Sequence, residues 1–574
     1  MNNPTTEANS TLTDRRLLML LALGCALMFF VNLGAAALFE PDEGRNAERA
    51  REILLLDNWA IPHENFLPAL DKPIFFYWLV AISYKLFGIS EWSARLPSAL
   101  AALGCAIVLY RFVRAQRSVW ESFASVLILA TSLQFFIFAR IVIFDMTLTL
   151  FTSIALFEFY RMATTQLQSE RRWRALSMYA AMALATLVKG PIGIAIPSMV
   201  IFGYLLIARK WRLLGEIYLP LGALLFCAIL VPVYVWAEFK HPGYLHYFLW
   251  EENILRFFTS HFQRGQPWYY FIVVIAAGFL PWSILIPSVV AAYWKQKFDE
   301  RELFLVLWIV LPVIFFSLSS AKLPHYVLPV FPPLAILTAA RLMELIQAPS
   351  RASAWTLTAP LVMSAGAVGY LIVGTLWQSA LPRHIRDTSG TLDIFVWLAG
   401  TAIALIMATF FFSRKHDKWC QPGFVFSCYG AAAIIYLLLM LQLSVHVSYG
   451  RSAKAAANHF APFIAPGDRV VAYESSLTGM PFYLRSKKPI WIVWSGTKDI
   501  VMDNMYVAQK QPAPGAGCGQ VLFTYKEFAK EAQQTQQPLR IIVKKRHLSR
   551  LEKVDGIATK TLTEFGEYAL ATTK

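Results

Sequence analysis

The feature that most constrains this chain is a series of almost uncharged apolar runs, at 17–39, 213–236, 303–318 and 424–443 among others. Each approaches the roughly 20 residues needed to cross a hydrocarbon core about 30 Å thick. No water is available there to satisfy backbone N–H and C=O groups, so such runs must be helices. Composition agrees: 57% of the 574 residues are hydrophobic and only 15% are charged, too apolar a balance for a water-soluble protein of this length. Arg15 and Arg16 precede the first run, and no small-residue cleavage site follows it. It therefore reads as a retained anchor and not a removed signal peptide.

The net charge of +16 would suggest nucleic acid in a soluble protein. Here the excess of Lys and Arg on cytoplasmic loops explains it first, and an anionic lipid substrate second, so nucleic acid is not an expected partner. Basic clusters at Arg15/Arg16, Arg111/Arg114/Arg117, Arg171/Arg172/Arg174, Arg209/Lys210/Arg212, Lys295/Lys297/Arg301, Arg341/Arg351 and Arg414/Lys415/Lys418 mark the cytoplasmic side. That alternation holds only if the apolar run 74–88 does not cross, and it is short enough to be re-entrant or interfacial.

The spans then fall near 17–39, 93–113, 119–138, 146–162, 175–188, 190–208, 214–237, 268–293, 302–318, 326–344, 355–377, 394–413 and 424–446. The expected fold is a polytopic α-helical membrane protein of about 13 transmembrane helices. Its N-terminus would be cytoplasmic. Residues 1–446 would form the membrane domain, with extracytoplasmic loops at 40–92 and 238–267. Residues 447–574 would form a small extracytoplasmic α/β domain, because "RVVAYE", "KPIWIVW" and "LRIIVKKR" read as strands and "YKEFAKEAQQ" as a polar helix. The six cysteines indicate no disulfide framework.

Charges concentrate where the outer face is expected. "LFEPDEGRNAERA" crowds Glu40, Asp42, Glu43, Arg45, Glu48 and Arg49 directly after the first run. An acidic interfacial cap explains a lone carboxylate pair equally well. The functional reading gains from the long loop that follows, from Asp71-Lys72-Pro73, and from Asp145 alone in "ARIVIFDMTLTLF". An ionisable residue between apolar runs is costly and usually lines a cavity. Lys189 in "TLVKGPIG" could merely snorkel. Taken with Lys72, Arg256 and Lys322, it supplies several cations at one face, as a phosphate headgroup requires.

"SSAKLPHYVLPVFPP" packs Lys322, His325 and Tyr326 into a proline-broken junction. The loop "EENILRFFTSHFQRGQPWYYF" carries Glu251, Glu252, Arg256, His261 and Arg264, but its spacing matches no zinc motif. A metal is not expected, and no Walker loop or dinucleotide fingerprint is present, so no cofactor is expected.

"EPDEGRNAERA", "LDKPIFFYWLVAISYKLFGISEWSARLPSAL", "ARIVIFDMTLTLF", "LVKGPIGIAIP" and "SSAKLPHYVLPVFP" occur in that order over most of residues 38–335. Together they resemble the polyprenyl-phosphate-dependent glycosyltransferases of the GT-C class, in the protein-O-mannosyltransferase-like branch. The 4-amino-4-deoxy-L-arabinose lipid A transferases are nearest, chiefly through "KLPHYVLP" and the tail.

The resemblance implies an undecaprenyl-phosphate-linked aminosugar donor and a lipid A acceptor, met at the periplasmic face of a bacterial inner membrane among its lipids. It places the family's acid after the first span on Asp42, with Arg45 nearby, its phosphate-contacting lysine on Lys72 and its second acid on Asp145. The paired "DE" departs from a strict Asp-x-Asp metal motif. The expected catalytic set is Asp42, Glu43 and Asp145. Arg45, Lys72, Lys189 and Arg256 would hold the donor phosphate, and Asp71, His261, Lys322, His325 and Tyr326 would bind substrate. A protein O-mannosyltransferase on the same fold and a lipid-linked sugar flippase remain rivals. The first would need a base for its hydroxyl acceptor, and the second would need cations through the membrane interior.

Overall fold

A computed structural model describes residues 4–255, 266–295, 298–347, 445, 448, 451–475, 477–494, 520–535, 537–553 and 557–573. The spans expected at 355–377, 394–413 and nearly all of 424–446 lie outside these residues. The chain divides into two compact units, one of residues 1–33, 95–235 and 249–447, the other of 34–94, 236–248 and 448–574.

The first unit is helical. Its elements are α1 (Pro4–Phe30), most of α4 (Glu91–Arg114), α5 (Val119–Thr131), α6 (Leu133–Ala139), α7 (Phe144–Thr164), α8 (Gln168–Lys189), α9 (Ile192–Ile207) and most of α10 (Leu219–Lys240). After these come α11 (Tyr270–Gly278), α12 (Ile286–Lys295), α13 (Glu300–Leu318) and α14 (Phe331–Gln347). Among the described residues four helical stretches are long and apolar enough to cross a membrane: Glu91–Arg114, Leu219–Lys240, Glu300–Leu318 and Pro324–Gln347. Two bent pairs raise this to as many as six if each is one span.

Those bends correct the picture of uniform crossings. The expected span 119–138 turns by 68° between α5 and α6, where Ser132 adopts extended backbone and its hydroxyl donates to the Ile128 carbonyl. The side chain thereby caps α5 and releases the next residues to start a new helix. The expected span 268–293 turns by 114° at Pro281, which has no N–H to continue the helix. The first run is also shorter as a helix than as an apolar stretch. α1 ends at Phe30, and Asn32 takes a left-handed φ of 53°.

Buried aromatics fill this unit's core. Phe112 stacks on Phe157 at 4.1 Å between centroids, and Phe157 meets the fully buried Trp308 at 5.0 Å. Ionic pairs tie the helix ends opposite Asp145 and Lys189. Arg174 meets Glu158, Arg171 meets Glu216, Arg117 meets Asp299, and Lys210 meets Glu300. Since α8 carries 22 residues, its Lys189 end lies about 33 Å from its arginine-rich start.

The second unit contains α2 (Asp42–Leu56), a hairpin of β1 (His63–Glu64) and β2 (Leu67–Pro68), and α3 (Phe75–Phe87). With them stands a six-stranded sheet. Its strands are β3 (Arg469–Tyr473), β4 (Trp491–Trp494), β5 (Leu522–Thr524), β6 (Leu539–Lys544), β7 (Lys560–Phe565) and β8 (Tyr568–Thr572), in the order β5-β4-β3-β6-β8-β7. The first four neighbours run parallel, and β8 pairs antiparallel with both β6 and β7. Alternation along β3 sends Val471 and Tyr473 into one core with Phe528, Ile541 and Val543, and Val470 into the other with Phe460, Met480 and Ile542. The polar stretch "YKEFAKEAQQ" is a helix opened by a capping box between Thr524 and Glu527.

α3 has 13 residues, about 20 Å and too short to span. It buries Phe76, Tyr77, Val80, Ala81 and Tyr84 and exposes Ile82, Leu86 and Phe87. Loop 40–92 packs against residues after 448. The Asn65 side-chain amide both donates to and accepts from the backbone of Ile490, at 2.7 and 2.8 Å. Arg51 donates to the Ser486 carbonyl at 2.7 Å, and Lys454 pairs with Glu91. Gly44 and Gly479 meet so closely that a Cβ on Gly44 would stand 2.8 Å from the Gly479 Cα.

Candidate functional site

In the second unit, α2 explains how so many charges sit together. Glu43, Glu48, Arg49, Arg51 and Glu52 are all buried, each at 5% exposure or less. They are not a solvated face. A buried charge survives only when paired and hydrogen-bonded, as Arg51 is with both oxygens of Glu48 at 2.6 and 2.7 Å; Glu52 instead accepts from the Phe66 backbone at 3.0 Å. Burial pushes the Glu52 carboxyl well above the usual range, and neighbouring Glu48 adds to the rise.

Asp42 opens the helix, exposed and paired with Arg45. Its negative charge suits the positive end of the helix dipole. Glu43 folds back so that its carboxylate accepts the Phe39 N–H at 3.1 Å. Glu40 is tied to the tail, accepting from the Thr478 hydroxyl and from Gly479 N–H at 2.8 Å. Burial raises its carboxyl to about 7 against the pull of those two hydrogen bonds and of Arg45.

Arg49 holds this region together. Its Nε donates to Glu64 Oε2 at 3.0 Å, its Nη1 donates to the Tyr77 hydroxyl at 3.0 Å, and Nη1 lies 2.8 Å from Asp71 Oδ1. Lys72 follows, its Nζ donating to the Asp71 carbonyl at 2.9 Å and standing 3.9 Å from Asp71 Oδ2. Nearby His63 is held neutral at physiological pH, its pKa lowered to about 4 chiefly by burial. Among the unit's hollows is one of about 550 Å³. Ala472, Ile492 and Ile542, in register on three strands, line it together with Glu48, Glu64 and Asn65.

The first unit assembles a second cluster. Asp145 lies in the first turn of α7 and Lys189 ends α8, and the Lys189 Nζ donates to Asp145 Oδ1 at 2.5 Å. His325 Nε2 is 3.9 Å from the other carboxylate oxygen. Tyr326 presents its ring 4.8 Å from the Lys189 ammonium, a cation–π contact. Phe138 packs edge-on against His325, and Phe316 packs tilted against Tyr326. Asp145 is 1% exposed and its carboxylate pairs with this lysine. Lys322, also buried, donates instead to the Gln266 carbonyl at 2.9 Å.

Of the residues singled out in the sequence, the structure thus gathers Asp145, Lys189, His325 and Tyr326 in one unit. It gathers Asp42, Glu43, Arg45, Asp71 and Lys72 along one stretch of the other. Arg256 and His261 lie outside the described residues. Among the described residues no three His, Cys, Asp or Glu side chains gather as a cage for a metal ion.

Sequence reasoning noted Arg49 only as one of the crowded charges and missed Glu64 and Tyr77; together these organise Asp71. It also missed Arg140, which donates to the Met28 and Val31 carbonyls at 2.6 and 2.7 Å and so closes the end of α1. A buried Arg five residues before Asp145 in an apolar run was the available signal.

Comparison with known proteins gives the arrangement a family. Residues 71–236 match the dolichyl-phosphate-mannose-protein mannosyltransferase family. An undecaprenyl phosphate-alpha-4-amino-4-deoxy-L-arabinose arabinosyl transferase of Pseudomonas fluorescens is 30% identical over 419 residues, 72% of this chain and 74% of that protein. The enzyme of the same name from Erwinia tasmaniensis is 32% identical over 328 residues, 56% of this chain and 59% of its own length. That match and the one from Enterobacter (60% of the relative) each span about three-fifths of the relative. The crystal structure of ArnT from Cupriavidus metallidurans bound to undecaprenyl phosphate superposes with a TM-score of 0.81 at 24% identity, covering 97% of this chain and 98% of that one, so the fold is shared. The chain belongs to the family of undecaprenyl phosphate-alpha-4-amino-4-deoxy-L-arabinose arabinosyl transferases.

Proposed function

We propose that the protein transfers 4-amino-4-deoxy-L-arabinose from undecaprenyl phosphate to a phosphate group of lipid A, by a single inverting displacement at the periplasmic face of the inner membrane. The observation that carries this is family membership, since the relatives' shared name states donor and sugar. In this reading the N-terminus is cytoplasmic and residues 447–574 form a periplasmic domain.

Lys72, Lys189 and Arg256, with Arg45 nearby, stabilise the departing lipid phosphate, where negative charge grows in the transition state. Asp42, Glu43 and Asp145 are the acids of the reacting centre. Lys322, His325 and Tyr326, with Asp71 and His261, shape the substrate site. Lys189 reaches the phosphate from a position already shared with Asp145, so that carboxylate orients the lysine as well as neutralising it. The acceptor phosphate is ionised at neutral pH and needs no proton removed. Asp42 then acts by stabilising oxocarbenium character or pairing with the sugar ammonium. The product would carry less negative charge and bind cationic peptides less well.

Mass spectrometry of lipid A from cells with and without the gene tests this, an added aminopentose only in the former being expected. The match of residues 71–236 to the mannosyltransferase family favours one second reading, transfer of mannose to a protein hydroxyl. Labelling of a peptide acceptor with lipid A left unchanged would support it.

A further inference from the structure

The Asp71-Lys72 pair poses a chemical problem. A lysine that is to meet a lipid-linked phosphate has, as its immediate chain neighbour, a carboxylate able to take the same ammonium. The structure contains an answer in α2. Arg49, with a side chain only 4% exposed, presents one edge of its guanidinium to Glu64 Oε2 and places Nη1 2.8 Å from Asp71 Oδ1 and 3.0 Å from the Tyr77 hydroxyl. The second carboxylate oxygen of Asp71 stands 3.9 Å from Lys72 Nζ, an ion pair without a hydrogen bond, and the ammonium donates to the Asp71 main-chain carbonyl. Glu64 and Tyr77 fix the guanidinium in the plane that makes this possible, and Tyr77 is itself fixed by donating to Asn46 at 3.3 Å. Arg45, paired with Asp42, lies near enough to Asp71 and Glu64 to add to the positive field. A lysine in place of Arg49 would carry the charge but not the planar fork that engages both carboxylates.

We infer that Arg49 is a positioning residue for the donor phosphate: by holding Asp71 Oδ1 it keeps that carboxylate from closing on the Lys72 ammonium as a hydrogen-bonded pair. Asp71, grouped from the sequence with the substrate-binding residues, is then the regulated counter-charge of Lys72. This rests on the reading of Lys72 as a donor-phosphate ligand.

The test uses full-length protein in proteoliposomes, with kcat and donor KM measured for Arg49→Met, Arg49→Met/Asp71→Asn, Glu64→Gln and Lys72→Ala. Arg49→Met should raise donor KM about tenfold or more and lower kcat as well, because Lys72 holds the phosphate in the ground state and more strongly as its charge grows in the transition state. Removing the competitor in the double variant should return donor KM to within about threefold of the parent, a recovery that lost packing alone would not give. Glu64→Gln loosens the guanidinium that holds Asp71 and should raise donor KM by less than Arg49→Met does. If Arg49→Met does not fold, the same rescue is read on Arg49→Lys, whose retained charge predicts a smaller rise. An unchanged donor KM in the Arg49 variant, or no recovery on adding Asp71→Asn, overturns the inference. If Lys72→Ala itself leaves donor KM unchanged, the phosphate reading of Lys72 fails and takes the inference with it. If Lys72→Ala raises KM while Arg49→Met does not, the positioning role alone is lost.

Discussion

Glutamine in place of Glu40 should make the second unit more stable at pH 8 and nearly indifferent to pH between 5 and 8. Burial raises the Glu40 carboxyl from an ordinary 4.5 to about 7, although the Thr478 hydroxyl, the Gly479 N–H and Arg45 all favour its ionised form. A folded-state value above the unfolded one means the group contributes most below pH 4.5 and loses that contribution as pH rises through 7. The difference corresponds to about 3 kcal/mol. Glutamine keeps an oxygen for Gly479 N–H, and its amide can donate to the Thr478 hydroxyl, which itself donates to the Pro41 carbonyl at 2.7 Å. Amide hydrogen exchange at Gly479, converted to opening free energies, is the assay. In the parent protein, protection should fall by about two orders of magnitude between pH 5 and pH 8 after correction for intrinsic rates, and Glu40→Gln should abolish that fall. An identical pH dependence in both proteins would refute the reasoning, since the titrating group would then lie elsewhere.

Other substitutions probe separate links. Lys189→Met leaves the Asp145 charge buried without its partner and should cost about 3–5 kcal/mol of stability; adding Asp145→Asn should recover much of it in thermal unfolding while activity stays lost. Gly44→Ala drives a methyl into the Gly479 backbone and should destabilise the second unit by at least about 1 kcal/mol, seen as increased proteolysis after residue 448. Asp42→Asn should lower kcat without removing an ionisation from the pH–rate profile, because the acceptor needs no base; near-normal transfer would take Asp42 off the catalytic list.

Much of this was legible because membrane helices and sheet strands write themselves in local hydropathy. α13 and the strands β3, β4 and β6 fall where apolar runs predict them. Breaks were harder to see, since Ser132 and Pro281 are residues that many membrane helices tolerate, and only the packing around them decides between a bend and a continuous span. Asp145 and Lys189 could each be singled out for cost, but their pairing is a tertiary fact, 44 residues apart in the chain. The charges of α2 were the hardest to place. Such stretches usually face solvent, and nothing local says that Arg49 finds Glu64, Asp71 and Tyr77, or that Asn65 finds Ile490 across 425 residues. The packing of this loop with the tail is likewise a tertiary fact.

The central claim is tested most directly by purified protein reconstituted with undecaprenyl-phosphate-linked 4-amino-4-deoxy-L-arabinose and lipid A, with products read by mass spectrometry. The account predicts lipid A bearing one added aminopentose on a phosphate, with inverted anomeric configuration and release of undecaprenyl phosphate. Intact donor and unmodified lipid A in the presence of folded protein would contradict it.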